Sequence, residues 1–195
     1  SIKGFLEDTQ EQILGHLTAA HTHSFSLQGT QTDAWLKEIE LLKELLPQYI
    51  DRGHVYFEYN IPRMGRRIDV AVLIDGILFL LEFKAFNEQY TKADIMQVWD
   101  YALDLKNFHE ESHNRPIVPI LVATDAPYSV NNFIPYDDYV FYPILSNYDD
   151  LGRTIESALR CCVPNEYGDD RMWAISRYAP TPTIIEAASA LYNNH

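Results

Sequence analysis

The sequence predicts an α/β fold with a mixed central sheet flanked by helices, in the order α-β-β-β-α-β. Three observations carry this. An Asp75-Gly76 pair separates two long apolar runs in "RRIDVAVLIDGILFLLEFKAF", residues 66–86, and is the strongest short-range signal for a hairpin. Amphipathic spacing marks one helix before that hairpin and another after it. The run "IVPILVATD" then reads as a buried strand.

Taken in order, Trp35, Ile39, Leu42 and Leu46 recur at helical spacing between Gln31 and Leu46, and Pro47 closes the helix. "HVYFEYNIP" is a strand in which Val55, Phe57, Tyr59 and Ile61 share an apolar face. Glu58 alternates away from that face, which leaves its approach to any site open. The hairpin strands fall at about 67–75 and 77–85, joined by a two-residue type I′ turn. "KADIMQVWDYALDLKNFH" shows helical spacing at Ile95, Val98, Ala102 and Leu105. "YVFYPILS" reads as a further strand and "LGRTIESALRCC" as a helix. Residues 1–178 are expected to form a single domain. Residues 179–195, a Pro-rich extended piece and a short helix, read as a linker.

With 195 residues, 47% of them hydrophobic, the chain can bury a sizeable single core. It contains no run of 18 apolar residues, and "SIKGFLEDTQ" lacks the shape of a secretory signal, so a cytoplasmic location without membrane partners is expected. Cys161 and Cys162 are adjacent, which is neither a disulfide framework nor a metal-binding spacing. The net charge of −13 runs against nucleic-acid binding, which normally needs a basic footprint. That charge is uneven, however. Arg63, Arg66, Arg67 and Lys84 gather on the hairpin and its approach, while acids lie in "EDTQE" and "YDDL".

The hairpin carries the candidate chemistry. Paired positions of an antiparallel ladder keep a constant sum, so pairing Ile74 with Ile77 places Asp69 opposite Glu82 and Arg67 opposite Lys84. Lys84 shares the face of Glu82. Two opposed acids between apolar faces are costly without a compensating cation, and a divalent metal is the simplest one. Asp69 and Glu82 would hold Mg2+ or Mn2+, which prefer carboxylate oxygens, with the Phe83 backbone carbonyl as a further ligand. Lys84 could orient or deprotonate a water. The pattern suits metal-dependent phosphodiester hydrolysis.

Asp69, then Glu82-Phe83-Lys84, then Gln97-x-x-x-Tyr101 resemble the PD-(D/E)xK nuclease superfamily, in its RecB-like, lambda-exonuclease-like branch. The resemblance covers roughly residues 31–125 and implies a restriction-endonuclease-like core, with Asp69, Glu82, Lys84, Gln97 and Tyr101 as catalytic or supporting residues. It departs at Ile68, which stands where the motif has proline, a position at which many members vary. It also implies a metal-binding glutamate on the helix before the sheet. With Trp35 at 0°, Glu38 falls at about −60°, inside the apolar arc, whereas Glu40 and Glu44 fall at about 140° and 180°. Glu38 is therefore the candidate. "IPRMGRRIDV", "LEFK", "QVWDYALDLKNFH" and "PTPTIIEAA" further resemble the N-terminal nuclease-like domain of certain bacterial DNA/RNA helicase proteins. That implies DNA as partner, with RNA left open, and an ATPase/helicase domain C-terminal to this one. Arg63, Arg66 and Arg67 are candidate nucleic-acid contacts.

Two other readings compete. The acids and basic residues could form a structural salt-bridge cluster, leaving a catalytically inactive module that binds nucleic acid or a protein partner. "HEESH", residues 109–113, matches the His-Glu-x-x-His pattern of zinc metalloproteases. That pattern needs a helix continuing through both histidines and a third ligand further on; Asn114-Arg115-Pro116 stops the helix directly after it, and the segment is polar apart from Phe108. His21-Thr22-His23 lies in a Ser/Thr/Gln-rich stretch and suggests no site.

Overall fold

The computed structural model describes residues 1–21, 29–162 and 167–193. At its centre is a mixed sheet of β1 (Gly53–Ile61), β2 (Arg66–Ile74), β3 (Ile77–Lys84), β4 (Ile117–Ala123) and β5 (Ile144–Ser146). The strands lie side by side in chain order. β1, β2 and β3 pair antiparallel, and β3, β4 and β5 pair parallel. Asp75 and Gly76 both adopt positive φ, 51° and 79°, as the I′ turn between β2 and β3 requires.

The helices are α1 (Ile2–Glu7), α2 (Gln10–His21), α3 (Gly29–Leu45), α4 (Lys92–Phe108), α5 (Leu151–Cys161), α6 (Asp170–Trp173) and α7 (Pro182–Asn193). Strand alternation sorts the sheet into two apolar faces. Val70, Val72, Phe79, Leu81 and Ile120 pack with Ile2 and Phe5 of α1, Leu17 of α2, Trp35, Ile39 and Leu42 of α3, and Ile155 of α5. On the opposite face, Ala71, Leu73, Leu80 and Leu121 pack with Val98, Ala102 and Leu105 of α4 and Trp173 of α6. The sheet is thus a buried middle layer, as its near-continuous apolar strands require. No helix among the described residues is long and apolar enough to cross a membrane.

Elements read from hydrophobic period appear within a residue or two of their expected ends. The strand expected across 139–146 shrinks to Ile144–Ser146, with Val140 and Phe141 making only isolated bridges. Pro143 has no N–H to donate and interrupts the ladder. Helices α1 and α2, for which no expectation stood, cover Val55 and Phe57 of β1. Thr22 and His23 of the His-Thr-His stretch lie outside the described residues, and His21 ends α2. The segment read as a linker is pinned at its start. The Ala179 and Thr181 N–H groups donate to the carbonyls of Phe108 and Asn107, at 2.7 and 2.9 Å.

Trp173 closes the α4 face. It is fully buried, lies 4.4 Å between centroids from Tyr59 and 5.0 Å from His109, and donates its indole N–H to Ser112 Oγ at 2.8 Å. Trp173→Ala removes this contact and opens a cavity, so urea unfolding should show a loss of about 3–5 kcal/mol. A loss below about 1 kcal/mol would mean that α6 merely rests on the surface.

Candidate active site

The β2–β3 register is the expected one, running from Ile74↔Ile77 to Val70↔Leu81 with a constant sum. There the pairing stops. Asp69 and Glu82 stand at matched positions but do not form a ladder pair, because the strands fork at this level. The Asp69 carboxylate instead takes the place of a backbone acceptor: the Phe83 N–H donates to its Oδ2 at 2.7 Å. The reason is electrostatic, since two acids facing each other across a buried ladder repel, and a short aspartate side chain can bridge the opened gap. The expected Arg67–Lys84 pairing is likewise absent, and Arg67 pairs with Asn60 of β1. The N–H and C=O of a strand residue point to the same side, so the Phe83 carbonyl also faces the fork.

Glu82 and Lys84 project toward α4, where they join a hydrogen-bonded chain. Lys84 Nζ lies 2.9 Å from Glu82 Oε1 and 3.4 Å from both Gln97 Oε1 and Asp94 Oδ1. Gln97 Nε2 donates to Glu82 Oε1 at 2.7 Å and to the Tyr101 hydroxyl oxygen at 2.8 Å. Positions 97 and 101 are one turn apart on α4, which makes the relay possible. The start of α4 is fixed by Thr91, whose hydroxyl accepts from the Asp94 N–H at 3.1 Å and donates to the Asp94 carboxylate. Tyr101 is only 1% exposed, so it supports Gln97 from within the core. Glu82 is 2% exposed, and its Oε2 is buried without a hydrogen-bond partner.

On the other face, Glu38 of α3 is buried, while Glu40 and Glu44 are exposed, as the helical arc requires. Glu58 is the residue that alternation did not place. Its backbone is left-handed, with φ 49°, and the β1–β2 register passes from Phe57↔Val70 to Tyr59↔Ile68 without pairing Glu58 and Asp69. Trp35 Nε1 donates to Glu58 Oε1 at 2.9 Å, and Arg67 Nε lies 3.5 Å from Oε2. Nothing in a regular period-two pattern signals such a reversal. The candidate arginines Arg63, Arg66 and Arg67 are all exposed. Arg63 is engaged elsewhere: it bonds Asp104 at 3.0 Å and stacks 3.5 Å above the Phe108 ring.

Burial, followed by the charges of Asp69, Glu58 and Glu82, raises the Glu38 carboxyl well above its ordinary range. Asp69 is also raised well above normal, by burial and then by Glu82, with the Phe83 N–H acting in opposition. Glu82 is raised by burial despite the pull of Lys84. For Lys84, desolvation acts downward but is outweighed by Glu82, Asp94 and Asp69, so the net shift is upward. Lys84 therefore holds its proton and can donate or orient, but it is not a ready base.

Among the described residues, no group of three or more His, Cys, Asp or Glu side chains is preassembled to hold a metal ion. The donor chemistry nevertheless fits Mg2+ or Mn2+: carboxylate oxygens, buried beside one another and only partly offset by Lys84, with one buried oxygen of Glu82 unpartnered. The His-Glu-x-x-His stretch does not offer a rival site. Helix α4 ends at Phe108, and the buried His109 ring has Ser112 Oγ 2.7 Å from Nδ1 and the Tyr59 hydroxyl 3.1 Å from Nε2. Burial lowers its pKa to about 4, as for a neutral core histidine. Comparison with known proteins finds no matching family model, and no curated protein or solved structure matches the chain significantly.

Because these acids bind protons more tightly in the folded state, their contribution is fully present below the ordinary carboxylate range and is lost as pH rises through the raised values. Glu38→Gln should thus melt higher than wild type in chelator at about pH 8, by about 2–4 °C per 1 kcal/mol of relieved repulsion. The gain should vanish near pH 4. A variant that gains nothing at the higher pH would show that the Glu38 charge costs no stability.

Proposed function

We propose that this domain is a Mg2+- or Mn2+-dependent nuclease that hydrolyses DNA phosphodiester bonds. The observation that carries the reading is the fork. It gathers Asp69, Glu82 and Lys84 at the open end of an apolar hairpin, with Gln97 and Tyr101 aligned behind them. The mixed sheet between helices, with the helix glutamate Glu38 on the other side of the sheet, supports reading it as a restriction-endonuclease-like core.

Glu38, Asp69 and Glu82 would hold the cation, together with the Phe83 carbonyl. When bound, such a cation supplies positive charge to a phosphate under attack and lowers the pKa of a water beside it. Lys84, kept protonated by its acidic neighbours, orients the water and offsets charge on the phosphate. Gln97 fixes Glu82 Oε1 through its amide N–H groups, and Tyr101 holds Gln97 in that orientation. Arg66 and Arg67, both exposed, would meet the nucleic-acid backbone. With a net charge of −13, most DNA affinity would come from an attached ATPase/helicase domain.

One observation favours a second reading, a catalytically inactive module that binds nucleic acid or a partner. Lys84 Nζ lies 2.9 Å from Glu82 Oε1 and offsets its charge directly, as in a structural ion pair. Calorimetric titration of Mn2+, with cleavage assays on linear, nicked and single-stranded DNA, separates the two. The nuclease requires Mn2+ binding and cleavage that both disappear in Glu82→Ala. In Gln97→Ala, which loses only a supporting residue, cleavage should fall about 10- to 100-fold. A wild-type domain that binds no Mn2+ would leave the inactive module standing.

A further inference from the structure

We propose, resting on the nuclease reading above, that Phe86 is a stacking platform for an unpaired base beside the scissile phosphate. Phe86 is then a specificity-determining residue, and single-stranded DNA is the substrate it favours.

Strands β3, β4 and β5 run parallel and end on the same side of the molecule. Open α/β sheets bind their ligands beyond the carboxyl ends of such strands. β3 delivers Glu82 and Lys84 to that end. Phe86 follows Lys84 by two residues, at most about 7 Å of chain, so it belongs to the mouth of the fork. Other elements converge on it there. Lys37, next to Glu38 on α3, places its Nζ 4.7 Å from the centroid of the Phe86 ring. The same ammonium lies 5.7 Å from the ring centroid of Tyr148, two residues beyond the end of β5.

The backbone of Phe86 is left-handed, with φ 63°, a conformation disfavoured for any residue with a Cβ. The turn after β3 holds it in place. The Phe86 N–H donates to Thr124 Oγ1 at 2.8 Å, and the Asn87 N–H donates to the Lys84 carbonyl at 3.2 Å. The Asp125 N–H closes the turn from the other side, donating to the Asn87 carbonyl at 3.0 Å. Phe86 is nevertheless 55% exposed. Glycine would adopt this backbone without strain and would give up little buried surface. Stability of the fold therefore does not account for a phenylalanine here. A flat ring held open on a fixed turn is what base stacking uses.

The surrounding charge agrees with stacking rather than phosphate binding. Lys37 pairs with Asp125 at 3.0 Å, and the Tyr148 hydroxyl donates to Glu44 at 3.4 Å, so this rim is not a basic track. Stacking needs no charge, because every base offers a π-face. In a duplex the neighbouring base pairs cover that face, which is why the ring favours unpaired bases.

Fluorescence anisotropy of a labelled oligothymidylate strand and of a labelled duplex tests the platform, in wild type, Phe86→Ala and Phe86→Trp. Binding is followed in Ca2+, which also takes carboxylate ligands, and cleavage of both substrates in Mn2+. Phe86→Ala should weaken strand binding about 10-fold or more. Duplex binding should stay as in wild type, and so should the salt dependence, because no phosphate contact is lost. Phe86→Trp keeps a stacking ring and should bind the strand as wild type does. A ring that only packs against Lys37 would shift the melting temperature and leave strand affinity unmoved, which overturns the platform. Equal losses for strand and duplex, a Phe86→Trp as weak as Phe86→Ala, or a wild type that binds no strand overturn it too. If Phe86→Ala binds and cleaves single strands like wild type, the platform falls and the nuclease stands. If strand binding depends on Phe86 but nothing is cleaved, base stacking by Phe86 holds and the nuclease reading falls.

Discussion

Repulsion between carboxylates at the end of an apolar hairpin shapes everything around it. Strands β2 and β3 are fully buried along most of their length, and their burial drives the sheet together. That same burial strips water from Asp69 and Glu82, so the ladder cannot close over them. The strands part, and Asp69, short enough to reach the β3 backbone, satisfies the Phe83 N–H that a closed ladder would have paired. The fork is thus a consequence of two acids, and it lets both stay near each other while Asp69 satisfies the Phe83 N–H.

The helices complete what the sheet leaves undone. Helix α4 brings Gln97 and Tyr101 to Glu82 because its Thr91 cap fixes where it starts, and its Val98, Ala102 and Leu105 fix how it is rotated. Helix α3 does the same on the opposite face, where Trp35 and Ile39 anchor it so that Glu38 faces inward and the indole meets Glu58. In both cases apolar packing determines where a polar group ends up. The site is therefore rigid on the helix side and open at the fork.

Much of this was legible in the sequence because it rests on period and turn chemistry. The Asp75-Gly76 turn set the register, the helical arc singled out Glu38, and the Gln97–Tyr101 spacing placed both side chains on one face. The fork was not legible, because a constant-sum argument assumes the ladder continues through every matched pair. Electrostatics broke it at the position of greatest interest. Glu58 was hidden for a related reason. Alternation describes strands whose residues all share right-handed sterics, and one left-handed residue inverts every assignment beyond it. Helices α1 and α2 escaped because they are short and their few apolar residues find partners only through tertiary contacts with β1 and α3.

A purely structural salt-bridge cluster accounts poorly for the energetics. A structural network gains by pairing each buried charge, and apolar replacements of similar volume often serve stability better. Here pairing is incomplete. Lys84 is shared between Glu82 and Asp94, one buried oxygen of Glu82 has no hydrogen-bond partner, and burial leaves Glu38, Asp69 and Glu82 all reluctant to ionise. Added to the left-handed backbone at Glu58, these are costs gathered in a few neighbouring residues of an otherwise well-packed core. A divalent cation, were one bound as proposed, would relieve that repulsion in a single step. The same imbalance that forks the hairpin is therefore also what would draw in the ion.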